Sequence, residues 1–278
     1  MSPRQFPATV LALEPLGAYL HLSLSAPPEV AAAVRPGHFA AVAVGGVGGG
    51  MLLRRAFSVH RTGPESLDVV FAMHGQGTTW LAGVHVGDVV DVVAPLGTPF
   101  PLPAAPIGAV LVAGGYGAAP MGMLAAELLR RDCAVTAVLG AASAERLMGV
   151  AELSALVSVA VTTDDGSAGL HGRVTDVLDQ AMTAVTAGVV YACGPMPMLR
   201  AVAAAASQFG ALSHCAVEEA MACGIGVCMT CVLPVIGDDG VTRMVRSCVE
   251  GPVFRGDRVR WDDVHTVPAE TWGAGGGH

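Results

Sequence analysis

Four cysteines near the C-terminal end place the strongest constraint on what this chain can fold into. Three of them lie within the nine-residue run from Cys223 to Cys231, and the fourth follows after 16 intervening residues. The spacing C-x4-C-x2-C…C is the plant-type ligand pattern of a [2Fe–2S] cluster, and thiolates are soft ligands that suit iron–sulfur chemistry. The spacing therefore predicts a cluster bound by Cys223, Cys228, Cys231 and Cys248.

Two other interpretations of the four cysteines stay open at this point. A structural zinc site also takes four thiolates, although it usually draws them from short paired knuckles rather than from one loop. Cysteines can also remain as small buried thiols. Gly224 and Gly226 favour the cluster, because a loop around it needs backbone with positive φ. Since cluster ligands must be reduced, the pattern predicts a cytoplasmic protein.

Composition and charge exclude several classes of protein. With 278 residues and 53% hydrophobic content, the chain can bury a sizeable core in two or three domains. A net charge of −8 argues against binding to nucleic acid or to anionic membranes. The uncharged stretch 92–126 is interrupted by prolines, so it does not predict a transmembrane helix. The N-terminus lacks the features of a signal peptide.

The hydrophobic pattern changes period near residue 103. Before it, short apolar runs at 6–13, 18–24, 38–44, 56–62, 67–73 and 88–94, at even spacing, predict an antiparallel β-barrel or sandwich. After it, apolar strands at 107–113, 133–139, 157–162 and 188–192 alternate with helical segments, which predicts an α/β parallel sheet. Short strands at 241–248 and 253–261 are expected to close the cysteine loop, and residues 275–278 are expected to be disordered.

Two features of the first hundred residues suit a flavin diphosphate. Arg55 and Ser58 lie on one predicted strand; arginine can hold a pyrophosphate through two hydrogen bonds, and serine can donate to a flavin or phosphate. Gly77 and Thr78 open a short helix, whose free amides attract an anion. Each feature alone also fits a simpler element, a solvated edge-strand pair or a capped turn. Together they predict one FAD site.

Three features of the second region suit a dinucleotide. The turn 114–117 (Gly-Gly-Tyr-Gly) follows a strand and begins a helix, although it is not G-x-G-x-x-G and a plain βα turn is the alternative. Cys193 ends the last parallel strand, where ligands of such sheets bind, and is predicted to touch a nicotinamide, with a small buried thiol as the open alternative. Asp164 follows another strand end and is predicted to reach a ribose hydroxyl, with an acidic turn as the alternative.

The order of these parts resembles the ferredoxin–NADP reductase superfamily. With the cysteine loop added, the chain resembles the electron-transfer subunits of class 1B dihydroorotate dehydrogenases over nearly its whole length. The stretches that carry this resemblance are 77–81, 95–97, 163–167 with 171–172, 192–195, 218–223 and 247–254.

The resemblance implies a division of the chain and a set of site residues. The predicted domains are an FAD-binding β-barrel (1–102), an NAD-binding α/β domain (103–212) and a [2Fe–2S] domain (213–278). The predicted FAD contacts are Arg55, Ala56, Phe57, Ser58, Val70, Phe71, Ala72, Gly77 and Thr78. The predicted NAD contacts are Gly114, Gly115, Gly117, Asp164, Gly194 and Pro195, with Cys193 in the catalytic position.

The function that the resemblance implies is an electron relay in pyrimidine biosynthesis. Dihydroorotate would be oxidised on a partner, the FMN-containing catalytic subunit, in a heterotetramer of two subunits of each kind. Electrons would pass singly through the cluster to FAD, which would deliver a hydride to NAD⁺. One alternative is the small flavin and iron–sulfur subunit of a ferredoxin–NAD(P) transhydrogenase or a hydrogenase. Another is a zinc-bound, redox-sensing binding protein.

Overall fold

The first half of the protein is a closed six-stranded antiparallel barrel. The structure is a computed structural model that describes residues 2–46 and 50–273, so the predicted disordered tail lies outside the described residues. The strands run in the order β1-β2-β5-β4-β3-β6. Their bounds are β1 Arg4–Leu16, β2 Tyr19–Ser25, β3 Phe39–Val42, β4 Arg55–Gly63, β5 Ser66–Phe71 and β6 Val89–Leu96. Two short helices, α1 (Pro28–Ala33) and α2 (Gly75–Leu81), complete it.

The barrel forms because its strands alternate apolar and polar residues. Every second side chain of such a strand points inward, so Leu22, Leu24, Val59, Leu67 and Val69 are fully buried in one core. The predicted antiparallel barrel is confirmed.

The second half is built on a seven-stranded sheet in the order β10-β9-β8-β7-β11-β12-β15. Its strands are β7 Gly108–Gly114, β8 Ala134–Ala141, β9 Ser158–Thr163, β10 Leu170–His171, β11 Ala187–Cys193, β12 Leu212–Ala216 and β15 Val253–Arg255. Helices α3 Met121–Leu129, α4 Val150–Ser154, α5 Thr175–Ala184 and α6 Met196–Phe209 connect them. The central strands are almost wholly apolar because helices cover both faces, as is typical of parallel sheets. The predicted parallel sheet is confirmed.

The strand expected at 253–261 has a different partner from the one predicted. Strand β15 pairs antiparallel with β12, with Ala216 opposite Val253, and so extends the sheet instead of closing the cysteine loop. Burial explains the pairing, because Val253 and Phe254 fill the edge of the sheet core. Residues after Arg255 form turns, and a single turn of 3₁₀ helix spans Trp261–Asp263. The other expected strand is β14 (Thr242–Arg246), which forms a hairpin with β13 (Val232–Ile236).

Buried polar contacts hold the barrel against the sheet. His60 of β4 donates from Nδ1 to the carbonyl of Ala119 (2.8 Å), and Tyr19 of β2 donates from its hydroxyl to the carbonyl of Arg146 (2.8 Å). Both side chains are buried, so these bonds fix the angle between the two halves. Within the described ranges, no helix is both long and apolar enough to cross a membrane.

A buried charge in the barrel provides a test of its stability. Asp68 accepts from Arg61 Nε (2.7 Å) and lies 3.1 Å from His21 Nε2. Burial alone would raise the pKa of Asp68, but the hydrogen bonds, led by that from Arg61, hold the pKa below its usual value. Its contribution to stability is therefore present above the unfolded pKa and is lost as the pH falls through the lower folded pKa.

We expect Asp68→Asn to lower the free energy of unfolding at pH 7 by about 3 kcal/mol, because it leaves Arg61 without its buried carboxylate. Urea titrations at several pH values measure this. The difference between wild type and variant should shrink as the pH falls below about 4. Glu29→Gln, which breaks the more exposed pair with Arg4, is the control and should change stability by less than about 1 kcal/mol. A pH-independent difference would contradict the assignment.

Candidate functional site

The cysteine loop lies between the barrel and the protein surface. Cys231 and Cys248 are buried against Phe39 and Leu96 of the barrel, whereas Cys228 is exposed. Cys223 is half-buried. The loop therefore has an inner pair of thiols next to the barrel and an outer pair next to solvent.

Backbone amides of the loop point at the sulfur atoms. The amides of Ile225 and Val227 donate to Cys223 Sγ at 3.4 Å, and the hydroxyl of Thr230 donates to Cys228 Sγ at 3.2 Å. Hydrogen bonds of this kind stabilise negative charge on sulfur and tune iron–sulfur centres.

The four thiols associate in two pairs. Cys223 and Cys228 form the outer pair next to solvent, and Cys231 and Cys248 form the buried inner pair. In the part of the chain that the structure describes, no three His, Cys, Asp or Glu side chains converge as ligands of one metal ion. A tetrathiolate zinc site needs all four sulfurs around one point. Two pairs suit a binuclear cluster, in which each iron takes two thiolates, so the residues present fit the predicted cluster.

The two pairs differ in acidity. Burial alone would raise the pKa of the Cys223 thiol, but hydrogen bonds led by those from Cys228 and the Ile225 amide lower that pKa to about 6. Hydrogen bonds from Thr230 likewise lower the pKa of Cys228. Burial, followed by the neighbouring Cys231, raises the pKa of Cys248 to about 12. Because thiolates are the metal-binding form, the lowered pKa values of Cys223 and Cys228 favour metal binding by these two thiols.

The predicted flavin residues lie on three neighbouring parts of the barrel. Arg55 of β4 packs so closely on Gly77 of α2 that no Cβ fits between the guanidinium and the helix. Arg55 Nη1 also donates to the carbonyl of Leu53 at 2.7 Å. Thr78 Oγ1 accepts from the amide of His74 at 2.6 Å, which fixes the start of the helix. The structure thus brings together the Arg55 guanidinium and the start of α2, which were predicted to bind the same diphosphate.

The remaining predicted flavin residues divide between the core and the surface. Phe57 packs on Phe71 with ring centroids 5.5 Å apart, whereas Val70 is buried in a different cluster, with Tyr19 and residues of the parallel sheet. Ala56 is exposed, and Ser58 is half-buried opposite Phe39 in the register of β3 and β4. The role of each in holding a flavin stays a prediction.

A cavity of about 510 Å³ opens at the carboxyl ends of the parallel strands. Gly114 and Gly115 of the predicted turn line it, as do Asp164 and the strand end formed by Gly194 and Pro195. Ala72 of the barrel reaches the same cavity. Five of the six predicted NAD contacts therefore surround one space that also adjoins the predicted flavin strand.

Gly117 and Cys193 are not among the residues that line this cavity. Gly117 packs on the carbonyl of Cys193, and the Cys193 side chain is buried in the core below the strand end. Burial, followed by the charge of Glu218, raises the pKa of Cys193 to about 12, so the thiol is neutral near pH 7. Its predicted contact with a nicotinamide stays a prediction.

Sequence reasoning missed several residues of the cavity. Tyr116 donates to Glu218, and its ring meets Tyr19 edge-on at 5.9 Å. Burial, followed by Glu218, raises the pKa of Tyr116, which keeps the phenol protonated as a donor. Arg173, which sequence reasoning also missed, lines the cavity together with Arg146 and gives it a second cation. The position of Tyr116 inside the glycine turn could have indicated that it lies at the site. Its hydrogen-bond partner, Glu218, is 102 residues away in the sequence and could not be predicted from the turn.

Comparison with known proteins defines the family. Residues 218–260 match the model of the iron–sulfur cluster binding domain of dihydroorotate dehydrogenase B, and residues 111–204 match the oxidoreductase NAD-binding domain. The chain is 41% identical over 215 residues to the dihydroorotate dehydrogenase B (NAD⁺) electron transfer subunit of Geobacillus thermodenitrificans, covering 75% of this chain and 80% of that one. The chain belongs to this family. The corresponding subunit of Bacillus caldolyticus is 40% identical and covers 81% of this chain and 86% of its own length.

Solved structures agree with the fold of these electron transfer subunits. A structure of an NADH-dependent reduced ferredoxin–NADP oxidoreductase superposes with a TM-score of 0.80 at 29% identity, covering 93% of this chain and 91% of the other. A Neisseria gonorrhoeae ferredoxin NADP⁺ reductase with bound FAD and NADP superposes with a TM-score of 0.62 at 19% identity, covering 74% and 92%. As members of a dihydroorotate dehydrogenase B family, such chains are electron-transfer oxidoreductase subunits that work with a catalytic subunit.

Proposed function

We propose that this chain carries electrons between the FMN of a dihydroorotate dehydrogenase catalytic subunit and NAD⁺, through a [2Fe–2S] cluster and FAD, in the cytoplasm. The observation that carries the proposal is the position of the cysteine loop, with one thiol pair against the barrel and the other at the surface. When bound, the cluster supplies one-electron transfer, and the flavin converts single electrons into a hydride.

The chain's own residues bind the cofactors and hold them at separate sites. We propose that Arg55, with the helix start at Gly77 and Thr78, holds the FAD diphosphate, because a guanidinium and free helix amides together favour a pyrophosphate. The cavity at Gly114 and Gly115 would hold NAD next to the flavin strand. We propose the units 1–102, 103–212 and 213–278 for FAD, NAD and the cluster, with β12 and β15 joining the last unit to the sheet.

The catalytic subunit is proposed to dock on the surface of the cysteine loop. Four apolar side chains are exposed there, namely Ile225, Val227, Met229 and Val249. Exposed apolar patches mark interaction sites, and electron transfer requires a close approach to the cluster. We propose a heterotetramer with two copies of each subunit.

Anaerobic co-purification from the native host tests this function. The expected result is an FMN-containing partner, a flavin and iron–sulfur visible spectrum, and dihydroorotate-dependent reduction of NAD⁺. The same spectrum with a ferredoxin or hydrogenase partner would move the chain to the alternative complexes. A colourless protein with one zinc ion would overturn the proposal.

Asp164 provides a test of the proposed NAD cavity. We expect Asp164→Asn to raise KM for NADH about tenfold with little change in FAD content, because one charged hydrogen bond to a ribose is lost. Steady-state NADH oxidation with an artificial acceptor measures KM. Asp179→Asn, an exposed substitution on α5, is the control. An unchanged KM in Asp164→Asn would remove this residue from the site.

A further inference from the structure

One side-chain pair contacts the cysteine loop without supplying a ligand. Arg246, at the end of β14, forms a two-pronged ion pair with Glu250. Its Nη2 lies 2.5 Å from Glu250 Oε1, and its Nε lies 3.1 Å from Oε2. The amide of Glu250 donates to the carbonyl of Arg246 at 2.9 Å, so backbone and side chains hold the two residues in one turn around Cys248.

The guanidinium of Arg246 also donates a hydrogen bond to the cysteine loop itself. Arg246 Nη1 donates to the carbonyl of Gly226 at 3.0 Å. That carbonyl belongs to the same peptide group as the amide of Val227, which donates to Cys223 Sγ at 3.4 Å. A charged donor on the oxygen of a peptide group polarises it and strengthens the hydrogen bond made by its N–H. The charge of Arg246 therefore acts on the sulfur of Cys223 through one peptide.

The cysteine loop is closely packed around Gly226. Gly226 has φ of +82°, and a Cβ at this position would lie 2.5 Å from Val249 Cγ2. Opposite it, the amide of Ser247 donates to the carbonyl of Cys231 at 2.9 Å. Arg246 thus lies where the strand leading to Cys248 meets the loop that carries the other three cysteines.

We propose that Arg246 and Glu250 form a charge pair that positions the cysteine loop and sets the reduction potential of its cluster. The inference rests on the proposed cluster. Gaining an electron adds negative charge, which a nearby cation favours and a nearby anion opposes. Because the two side chains are 34% and 38% exposed and directly paired, each masks much of the other's charge. Removal of either one exposes the charge of its partner.

The test is a pair of neutral substitutions with opposite expected signs. In Arg246→Gln, the carboxylate of Glu250 loses its partner and the peptide loses its charged donor, so the midpoint potential should fall. In Glu250→Gln, the guanidinium keeps its bond to Gly226 and loses its masking anion, so the potential should rise. Each shift is expected to change the ratio of reduced to oxidised cluster about tenfold at fixed potential, which is about 59 mV for one electron.

The measurement is a redox titration of the cluster by electron paramagnetic resonance, on the full complex with its catalytic subunit. Arg246→Lys keeps the charge without the planar fork and should lie nearer to wild type than Arg246→Gln. The matched control is the pair Arg243 and Asp239, which has the same spacing and lies at the turn end of the same hairpin, formed by β13 and β14. Arg243→Gln and Asp239→Asn should both shift the potential much less.

The outcomes separate this inference from the proposed function. Opposite shifts that shrink as ionic strength rises support the charge pair, because both side chains are partly exposed. Shifts of the same sign, or shifts no larger than those of the hairpin controls, would overturn it while leaving the cluster in place. If Arg246→Gln fails to assemble a cluster, the rise in midpoint potential expected for Glu250→Gln still tests the inference. A wild-type complex without a cluster signal would overturn the proposed function as well.

Discussion

Replacing Cys228 by serine is expected to abolish electron transfer between this chain and its catalytic subunit while leaving reduction of FAD by NADH largely intact. Cys228 is the exposed thiol of the outer pair, and it lies away from the barrel and from the cavity at the strand ends. Loss of this ligand removes the route to the surface without altering the proposed FAD and NAD sites.

Two assays on the same preparation separate these effects. Dihydroorotate-dependent reduction of NAD⁺ reports the whole relay, and stopped-flow bleaching of the flavin by NADH reports only the second half. Cys133→Ser is the matched control, since Cys133 is a buried cysteine outside the loop and should leave both assays active. Equal loss of both activities in Cys228→Ser would show that the loop is needed for folding or for the flavin site instead.

Gly77→Val is expected to weaken FAD binding about 10- to 100-fold. The added side chain would occupy the space of the Arg55 guanidinium, which packs directly on Gly77. Displacing Arg55 removes charged hydrogen bonds to the diphosphate, each worth about 1.5–3 kcal/mol. Titration of the flavin-free protein with FAD, followed by flavin fluorescence, measures the affinity.

A glycine in the same region provides the control for this substitution. At Gly83, just beyond α2, a Cβ would meet its nearest neighbour, the Trp80 carbonyl, at an ordinary 3.4 Å. Gly83→Ala should therefore keep the FAD affinity of wild type. The FAD affinity of Gly77→Ala should lie between those of wild type and Gly77→Val. Circular dichroism confirms that the variants are folded. Unchanged affinity in a folded Gly77→Val would separate Arg55 from the flavin site.

Local patterns in the sequence predicted much of this architecture. An all-β first half, either a barrel or a sandwich, followed from short apolar runs at even spacing. The parallel sheet followed from apolar strands alternating with helices, because this pattern reflects which faces are buried. The cysteine spacing predicted the loop, since its ligands lie close together in the chain. The glycine turn at 114–117 predicted the cavity edge for the same reason.

Contacts between distant residues were beyond local patterns. Strand β15 pairs with β12 rather than with the cysteine loop, and the choice depends on which sheet edge has room for Phe254. Tyr19 reaches the cavity from the barrel, and Glu218 reaches it from just beyond the carboxyl end of β12. The side chain of Cys193 points to one face of the sheet. Because Cys193 is the last residue of β11, the sequence alone does not reveal which face that is.

The pairing of β12 with β15 has a consequence for how this architecture can be assembled. Ala216 and Val253 are direct neighbours in the sheet, and the amide of Val217 donates to the carbonyl of Pro252 at 2.9 Å. The chain therefore leaves the sheet and returns to it at points about 5 Å apart. Closing a loop costs little more when the loop is long, so a short turn could replace the whole excursion. The cysteine loop is thus an insertion between two adjacent points of the sheet, and the order of strands in the sheet does not depend on its length.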